Sequence, residues 1–168
     1  MAIWRAMTSS DLAGVLLVAD EVHPELREDP HIFAERLSLF PEGCYALFDG
    51  ETVVGYAITH PIKRGQPPKL NRPLGSLPKG ACDFYIHDVA LLPSQRGGGY
   101  ARQIIERLLR LGRSYDAIGL ISVYETAAFW GRFGFEPNAL VSRETLAHYG
   151  EGAVFMSYRS ALSRSYAA

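Results

Sequence analysis

Three consecutive glycines, Gly97-Gly98-Gly99, stand between an apolar strand pattern and an amphipathic helix pattern. No other feature constrains the chain as much. The strand side reads Phe84-Tyr85-Ile86-His87-Asp88-Val89-Ala90-Leu91-Leu92 and is stopped by Pro93. The helix side carries Ile104, Ile105, Leu108, Leu109 and Leu111 at spacings of three and four. Glycines have no Cβ, so several backbone N–H groups of this turn can converge on one ligand at close range. The helix N-terminus adds a partial positive charge and Arg96 a full one, which together suit a phosphate or pyrophosphate.

The ligand class narrows by elimination. A Walker A loop needs a lysine after its glycines, and none follows here. A dinucleotide fingerprint would take Gly97 and Gly99 as its first two glycines but meets Arg102 at the third, where a side chain spoils close helix–strand packing. The pattern R-x-x-G-x-A does fit, as Arg96, Gly99 and Ala101, and it resembles the coenzyme A pyrophosphate loop of the GNAT superfamily of N-acetyltransferases. A second block lies downstream of a short buried-type strand, Ile118 to Val123. Ala128-Phe129-Trp130, Arg132 and Gly134-Phe135 look like the GNAT signature A-x-F-[Y/W]-x-[K/R]-x-G-F, in the expected order and separation. Local chemistry predicts a helix from Glu125 to Phe133, ended at Gly134 by a left-handed cap.

Composition sets outer limits. At 168 residues, with 48% apolar and 21% charged residues, the chain reads as one globular domain over 1–168. The net charge of −1 argues against nucleic acid as a partner. No apolar run reaches membrane-spanning length, and Met1 to Arg5 opens nothing like a signal peptide, so a cytoplasmic protein without membrane association is expected. Cys44 and Cys82 lack metal-ligand spacing and read as buried reduced thiols; no metal is expected.

Along the chain, Ile3 to Arg5 reads as a first strand and Thr8-Ser9-Ser10-Asp11 as a helix start ahead of Leu12, Val15, Leu16 and Ala19. Phe33, Leu37 and Phe40 mark a second helix before Pro41. Cys44–Phe48, Asp49-Gly50 and Val53–Ile58 read as an antiparallel hairpin. Phe135–Ser142 and Ala153–Arg159 are the expected last strands. Pro61 to Gly80, with five prolines, is too long for an ordinary connection. Its Leu70, Leu74 and Leu77 predict a packed loop bordering a pocket, although a surface insertion without function reads almost as well. The order is α/β (α+β). The resemblance implies a GNAT fold: a mixed, mostly antiparallel central sheet flanked by about four helices, two N-terminal ones on one side and the coenzyme helix on the other.

The resemblance also implies acetyl transfer from acetyl-CoA to a primary amine by direct attack, the amine belonging to a small molecule, a lysine or an N-terminus. Val89, Ala90 and Leu91 would then pair with the pantetheine arm as an added strand would. Arg96, Gly97, Gly98, Gly99, Tyr100 and Ala101 would hold the pyrophosphate. Ala127, Trp130 and Arg132, from the second block, would complete the coenzyme site. An amine with pKa near 10.4 is only about one part in two thousand neutral at pH 7, so a base matters. Asp88 is a charge in an apolar stretch, costly to bury without purpose, and His87 has the pKa suited to proton transfer. Strand alternation sends them to opposite faces unless a bulge re-aims one, as is common in GNAT folds at this place. Tyr85-Ile86-His87-Asp88 is also similar to the Y-x-E-D stretch of polyamine acetyltransferases, which adds Tyr85 to the acceptor side. A strand histidine bonded for stability and a loop-anchoring carboxylate remain the plain alternatives.

Many relatives have tyrosine where Trp130 stands, and its phenol protonates the leaving thiolate. Indole cannot, so Tyr124 is the substitute acid, with Tyr149 behind it; release as thiolate to water is the other route. Glu21 to Asp29 links the two N-terminal helices, and its carboxylates would favour a cationic amine. A solvated linker is the plainer reading, with His23, before Pro24, as the member able to touch substrate. A homodimer is possible in this family. Two other classes stay open: a non-catalytic acyl-CoA-binding or regulatory GNAT domain, suggested by Trp130, and an unrelated nucleotide-binding α/β protein, supported only by the glycine turn.

Overall fold

A computed structural model of the chain describes residues 1–159. Its framework is one seven-stranded sheet in the order β1-β2-β3-β4-β5-β7-β6. Here β1 is Ile3–Ala6, β2 Cys44–Asp49, β3 Thr52–Ile62, β4 Asp83–Leu91, β5 Ala117–Ser122, β6 Glu136–Pro137 and β7 Val154–Arg159. Every neighbouring pair is antiparallel except β4 with β5. The parallel pair needs a crossover, supplied by α3, Tyr100–Leu111. The mixed, mostly antiparallel sheet with helices is the expected architecture.

Two cores lie on the sheet's two faces. Ile104, Ile105 and Leu108 of α3 are fully buried against Phe84, Ile86, Ile118 and Leu120. On the other face α1, Leu12–Val22, and α2, Pro30–Leu39, bury Val15, Val18, Phe33 and Leu37 against Ala46, Tyr56 and Ile58. Leu12 and Leu16, expected on the packed stripe of α1, are only partly buried. The start of α1 is preceded by a 3-10 turn at Ser9–Asp11, where the Asp11 carboxylate accepts the Thr8 N–H at 2.8 Å.

Four expectations need correction. The strand that was to end before Pro61 runs on to Ile62, with Pro61 opposite Phe84. Proline is tolerated because β2 has ended opposite Ile58, so the missing N–H faces no neighbouring strand. The helix expected from Glu125 to Phe133 is only α4, Ala127–Gly131, because Tyr124 and Glu125 adopt left-handed backbone at φ 52° and 58°. Gly134, at φ 94°, does supply the predicted left-handed stop. The strand expected over 135–142 shrinks to β6, and α5, Arg143–Ala147, follows instead, its N-terminus capped by the Ser142 hydroxyl accepting the Thr145 N–H at 3.2 Å. Cys44 is fully buried, its thiol pushed up to about 12 by burial, whereas Cys82 is only half-buried; both are free.

Candidate functional site

The sheet opens where β4 and β5 part. They pair only from Asp83 with Ala117 to Ile86 with Leu120, and beyond Ile86 the β5-facing edge of β4 has no strand partner among the described residues. Val89, Ala90 and Leu91 keep their pairing with β3 on the other edge. A cavity of about 540 Å³ fills the opening and runs along β4 from Tyr85 to Leu91, then to Arg96 and Ala101. A bare strand edge inside a cavity is a template for an extended ligand, because its main-chain groups still need partners.

Register explains how β4 feeds two polar side chains into that space. Ile58 pairs with Asp88 and Thr59 with Ile86, so His87 is an extra residue in a β-bulge. His87 and Asp88 consequently both line the cavity despite being neighbours on one strand. The re-aiming that both candidates required is present.

Asp88 is held at both oxygens. Its Oδ1 lies 2.9 Å from His23 Nε2, and its Oδ2 accepts the hydroxyl of the fully buried Tyr56 on β3. Burial pushes the carboxyl up, but the His23 imidazole and the two hydrogen bonds outweigh it and hold Asp88 below the usual carboxylate range. Burial likewise pushes His23 down, and the adjacent carboxylate more than compensates, leaving the imidazole above its ordinary value. His23 also stacks on Tyr124, centroids 5.7 Å apart and planes 9° from parallel. Burial and the charges of Glu25 and Asp88 raise the Tyr124 phenol, so it stays protonated at neutral pH.

A second histidine–carboxylate pair lies beside the first. His87 Nε2 is 2.6 Å from Glu28 Oε1, and Glu28 Oε2 accepts the Asn71 N–H at 2.9 Å. Burial raises Glu28, and His87 together with the Asn71 N–H brings it below its usual value. The 63–80 segment is thereby strapped to the N-terminal helices. Glu35 accepts the Leu74 and Gly75 N–H groups at 2.7 and 2.9 Å, Arg36 donates to Arg72 O at 3.0 Å, and Tyr149 donates to Pro68 O at 2.5 Å. Leu70 of this strap reaches the cavity wall and Leu77 packs on the main core, as a packed loop beside a pocket requires.

The glycine turn sits at the other end. Gly97 and Gly99 have φ of 82° and 80°, a region L-residues enter only at a cost, and Gly99 caps α3 without a side chain. The first α3 backbone bond runs from Gln103 N–H to Gly99 O, so the leading N–H groups have no acceptor within the helix. Gly98 is required for another reason: a Cβ there would lie 2.6 Å from the Tyr100 ring. Tyr100 is anchored beside β1, its hydroxyl accepting the Ala2 N–H and its carbonyl accepting the Trp4 indole N–H, each at 3.0 Å.

The other sequence candidates separate into two groups. Val89, Ala90, Leu91, Arg96, Ala101, Trp130, Tyr85, His23 and Tyr124 join His87 and Asp88 on the cavity wall. Gly97, Gly98 and Gly99 are exposed beyond its end, Ala127 packs on the core, and Arg132 is exposed over the Phe129 ring, 5.4 Å from its centroid. Glu28 and Tyr56 were not singled out as site residues. Glu28 gave no periodic signal inside a charged linker, and Tyr56 read as one more strand aromatic. Cys82, Asp83 and Asp116 approach one another closely, but Arg64 pairs with both carboxylates, at 3.3 and 2.8 Å.

The acetyltransferase (GNAT) family model matches residues 12–135. No curated protein sequence matches the chain. Among solved structures, the loading GNATL domain of CurA from Lyngbya majuscula superposes with a TM-score of 0.79 at 13% identity, covering 95% of this chain and 98% of that one. The GphF GNAT-like decarboxylase in complex with isobutyryl-CoA gives 0.74 at 14% identity over 94% and 98% of the two chains. Arabidopsis thaliana Naa50 in complex with the bisubstrate analogue CoA-Ac-MVNAL gives 0.69 at 16% identity over 94% and 97%.

Proposed function

Because the chain belongs to the acetyltransferase (GNAT) family, we propose that it moves an acetyl group from acetyl-CoA to a primary amine by direct attack, with no covalent enzyme intermediate. One observation carries the reading: the edge of β4 left unpaired among the described residues runs from the Asp88 pair toward Arg96 and Ala101, either side of the glycine turn, along one cavity. The residues present fit a coenzyme A thioester. Main-chain groups of Val89 to Leu91 would take the pantetheine arm, Trp130 would pack beside it, and Arg96 with the N–H groups from Gly97 to Ala101 would take the pyrophosphate. When bound, the thioester supplies an activated acyl carbon.

The chain's own side chains handle charge and protons. Ionised Asp88 attracts the acceptor as its ammonium form. A carboxylate held so low is a weak base alone, but it shares a hydrogen bond with an imidazole whose affinity for a proton is raised. The amine proton passes to the Asp88 carboxylate while His23 Nε2–H and the Tyr56 hydroxyl keep donating to it, and Asp88 is the stronger base when His23 is neutral. The nitrogen–carbon bond forms as the carbon–sulfur bond breaks, and the thiolate is reprotonated by Tyr124 or by water. Tyr56, closed off behind Asp88, never meets substrate and acts by fixing the carboxylate.

Two measurements test this. Coenzyme A should raise the melting temperature where ATP and NAD do not, and acetyl-CoA should release free thiol only when a primary amine is supplied. Tight coenzyme binding with no release across an amine panel would turn the reading into an acyl-CoA sensor. Release independent of amine would overturn transfer altogether.

A further inference from the structure

The cavity has two electrostatically opposite ends. Arg96 stands at the Leu91 end. At the Tyr85 end are two carboxylates, Asp88 and Glu28, each bonded to a histidine, and no lysine or arginine among the described residues contributes to the wall there. Glu28 is the more rigidly held. Its side chain is only 6% exposed, one oxygen faces His87 Nε2 and the other takes the Asn71 N–H of the strap. A carboxylate only accepts, so Nε2 carries the proton in that contact, and His87 Nδ1 is left buried and unpartnered. The rest of this end is apolar or phenolic, from Val22, Leu26, Leu70 and Tyr149.

We propose that this end selects a primary amine on an apolar body with no carboxylate near the nitrogen, and that Glu28 sets the selection. The substrate class is the amine left by decarboxylation of an amino acid, not the amino acid itself. Asp88 draws in the ammonium group. A carboxylate two bonds from that nitrogen is brought against a second fixed negative charge that cannot rotate away, since both its oxygens are tied. The apolar body lies among Val22, Leu26 and Leu70, where the strap covers it. The buried Arg36 behind Glu28 is offset by its own partner Glu35 at 2.5 Å, so even with both imidazoles protonated Asp88 and Glu28 balance them and this end does not turn net positive. The inference rests on the amine-acceptor reading above and deepens it.

Three ligands of one shape test it: phenethylamine, phenylalaninol and phenylalanine. The alcohol keeps bulk at the carboxylate position and removes the charge. Binding is measured by calorimetry on protein saturated with coenzyme A, and turnover with acetyl-CoA. Phenethylamine and phenylalaninol should each exceed phenylalanine by about 100-fold in affinity and in kcat/KM, as expected for like charges near 5 Å in a partly shielded site. Glu28→Gln, which keeps the size and the bond from the Asn71 N–H but turns an amide nitrogen to His87, should shrink that ratio about tenfold, while Glu28→Asp, which keeps the charge, should retain most of it. Phenylalanine within threefold of phenethylamine in the wild type overturns the proposal, whatever the variants do. An unchanged ratio in Glu28→Gln overturns the role of Glu28. Selective binding with no acyl transfer supports the selection and defeats the transferase reading, so the two failures are told apart.

Discussion

Asp88 answers to two donors at once, His23 on one oxygen and Tyr56 on the other, and each defines a separate consequence. Replacing it by Asn leaves an amide nitrogen facing one of those donors and removes the charge that raises His23. Asp88→Asn should therefore lower kcat about 100-fold, the usual scale for a positioned proton acceptor, while coenzyme A affinity stays within about threefold. Equal losses in both, or loss of folding, would return Asp88 to a structural role. The same geometry predicts a pH profile. A protonated His23 makes Asp88 a weaker base, and its pKa lies above 6.5, so kcat/KM should fall as pH drops through a point above 6.5. A limb near 4 would instead assign the proton to a lone carboxylate. Asp88 and His87 were visible in the sequence as a charge and an imidazole inside an apolar strand. Glu28 was not, because its meaning comes from His87 and Asn71, which lie far away in sequence.

Elements matter here through their ends. The α3 N-terminus is prepared by Gly97 and Gly99, both at positive φ with open space where a Cβ would lie. A side chain at either position is thus limited by backbone strain, not by crowding. Gly99→Glu adds about 1 kcal/mol of left-handed strain and a negative charge at the proposed pyrophosphate seat. Coenzyme A affinity, read by calorimetry, should fall at least about 100-fold, with only a small drop in melting temperature. Retained affinity would move the coenzyme away from this turn. The α3 stripe and its glycine entry were legible because both are local signals. The shortness of α4 was not, since Tyr124 and Glu125 adopt left-handed backbone that no local preference calls for. Such conformations persist only where the surrounding structure imposes them.

On the scale of the whole molecule, the same cavity region shapes the response to acid. His60 is fully buried on β3 between the Tyr85 and His87 rings, with Nδ1 3.1 Å from Pro61 O and Nε2 unpartnered. Burial, aided by His87, pushes its pKa down to about 3. Between about 3 and the unfolded value near 6.5 the unfolded chain binds a proton that the folded one refuses, so stability falls as pH drops through that window. The slope from this group is about 1.4 kcal/mol per pH unit. His60→Gln should lose about 2.5 kcal/mol less than wild type between pH 6.5 and 4.5, read by urea unfolding. Parallel losses would show that His60 is solvated or charged in the folded state. No helix of the described residues is long and apolar enough to cross a membrane.

By itself the sequence determined what local chemistry can encode: the strand–glycine–helix unit, the Gly134 stop, the alternation of strands and helices, and hence the family. These depend on residues a few positions apart, where backbone preference and periodicity act directly. Only the tertiary structure decided which groups meet. The parting of β4 from β5 after Ile86, the bulge that turns His87 and Asp88 into one cavity, and the joining of His23 to Asp88 across 65 positions all follow from packing between distant segments. No single segment carries that information, because a hydrogen bond between remote residues leaves no periodic trace in either of them.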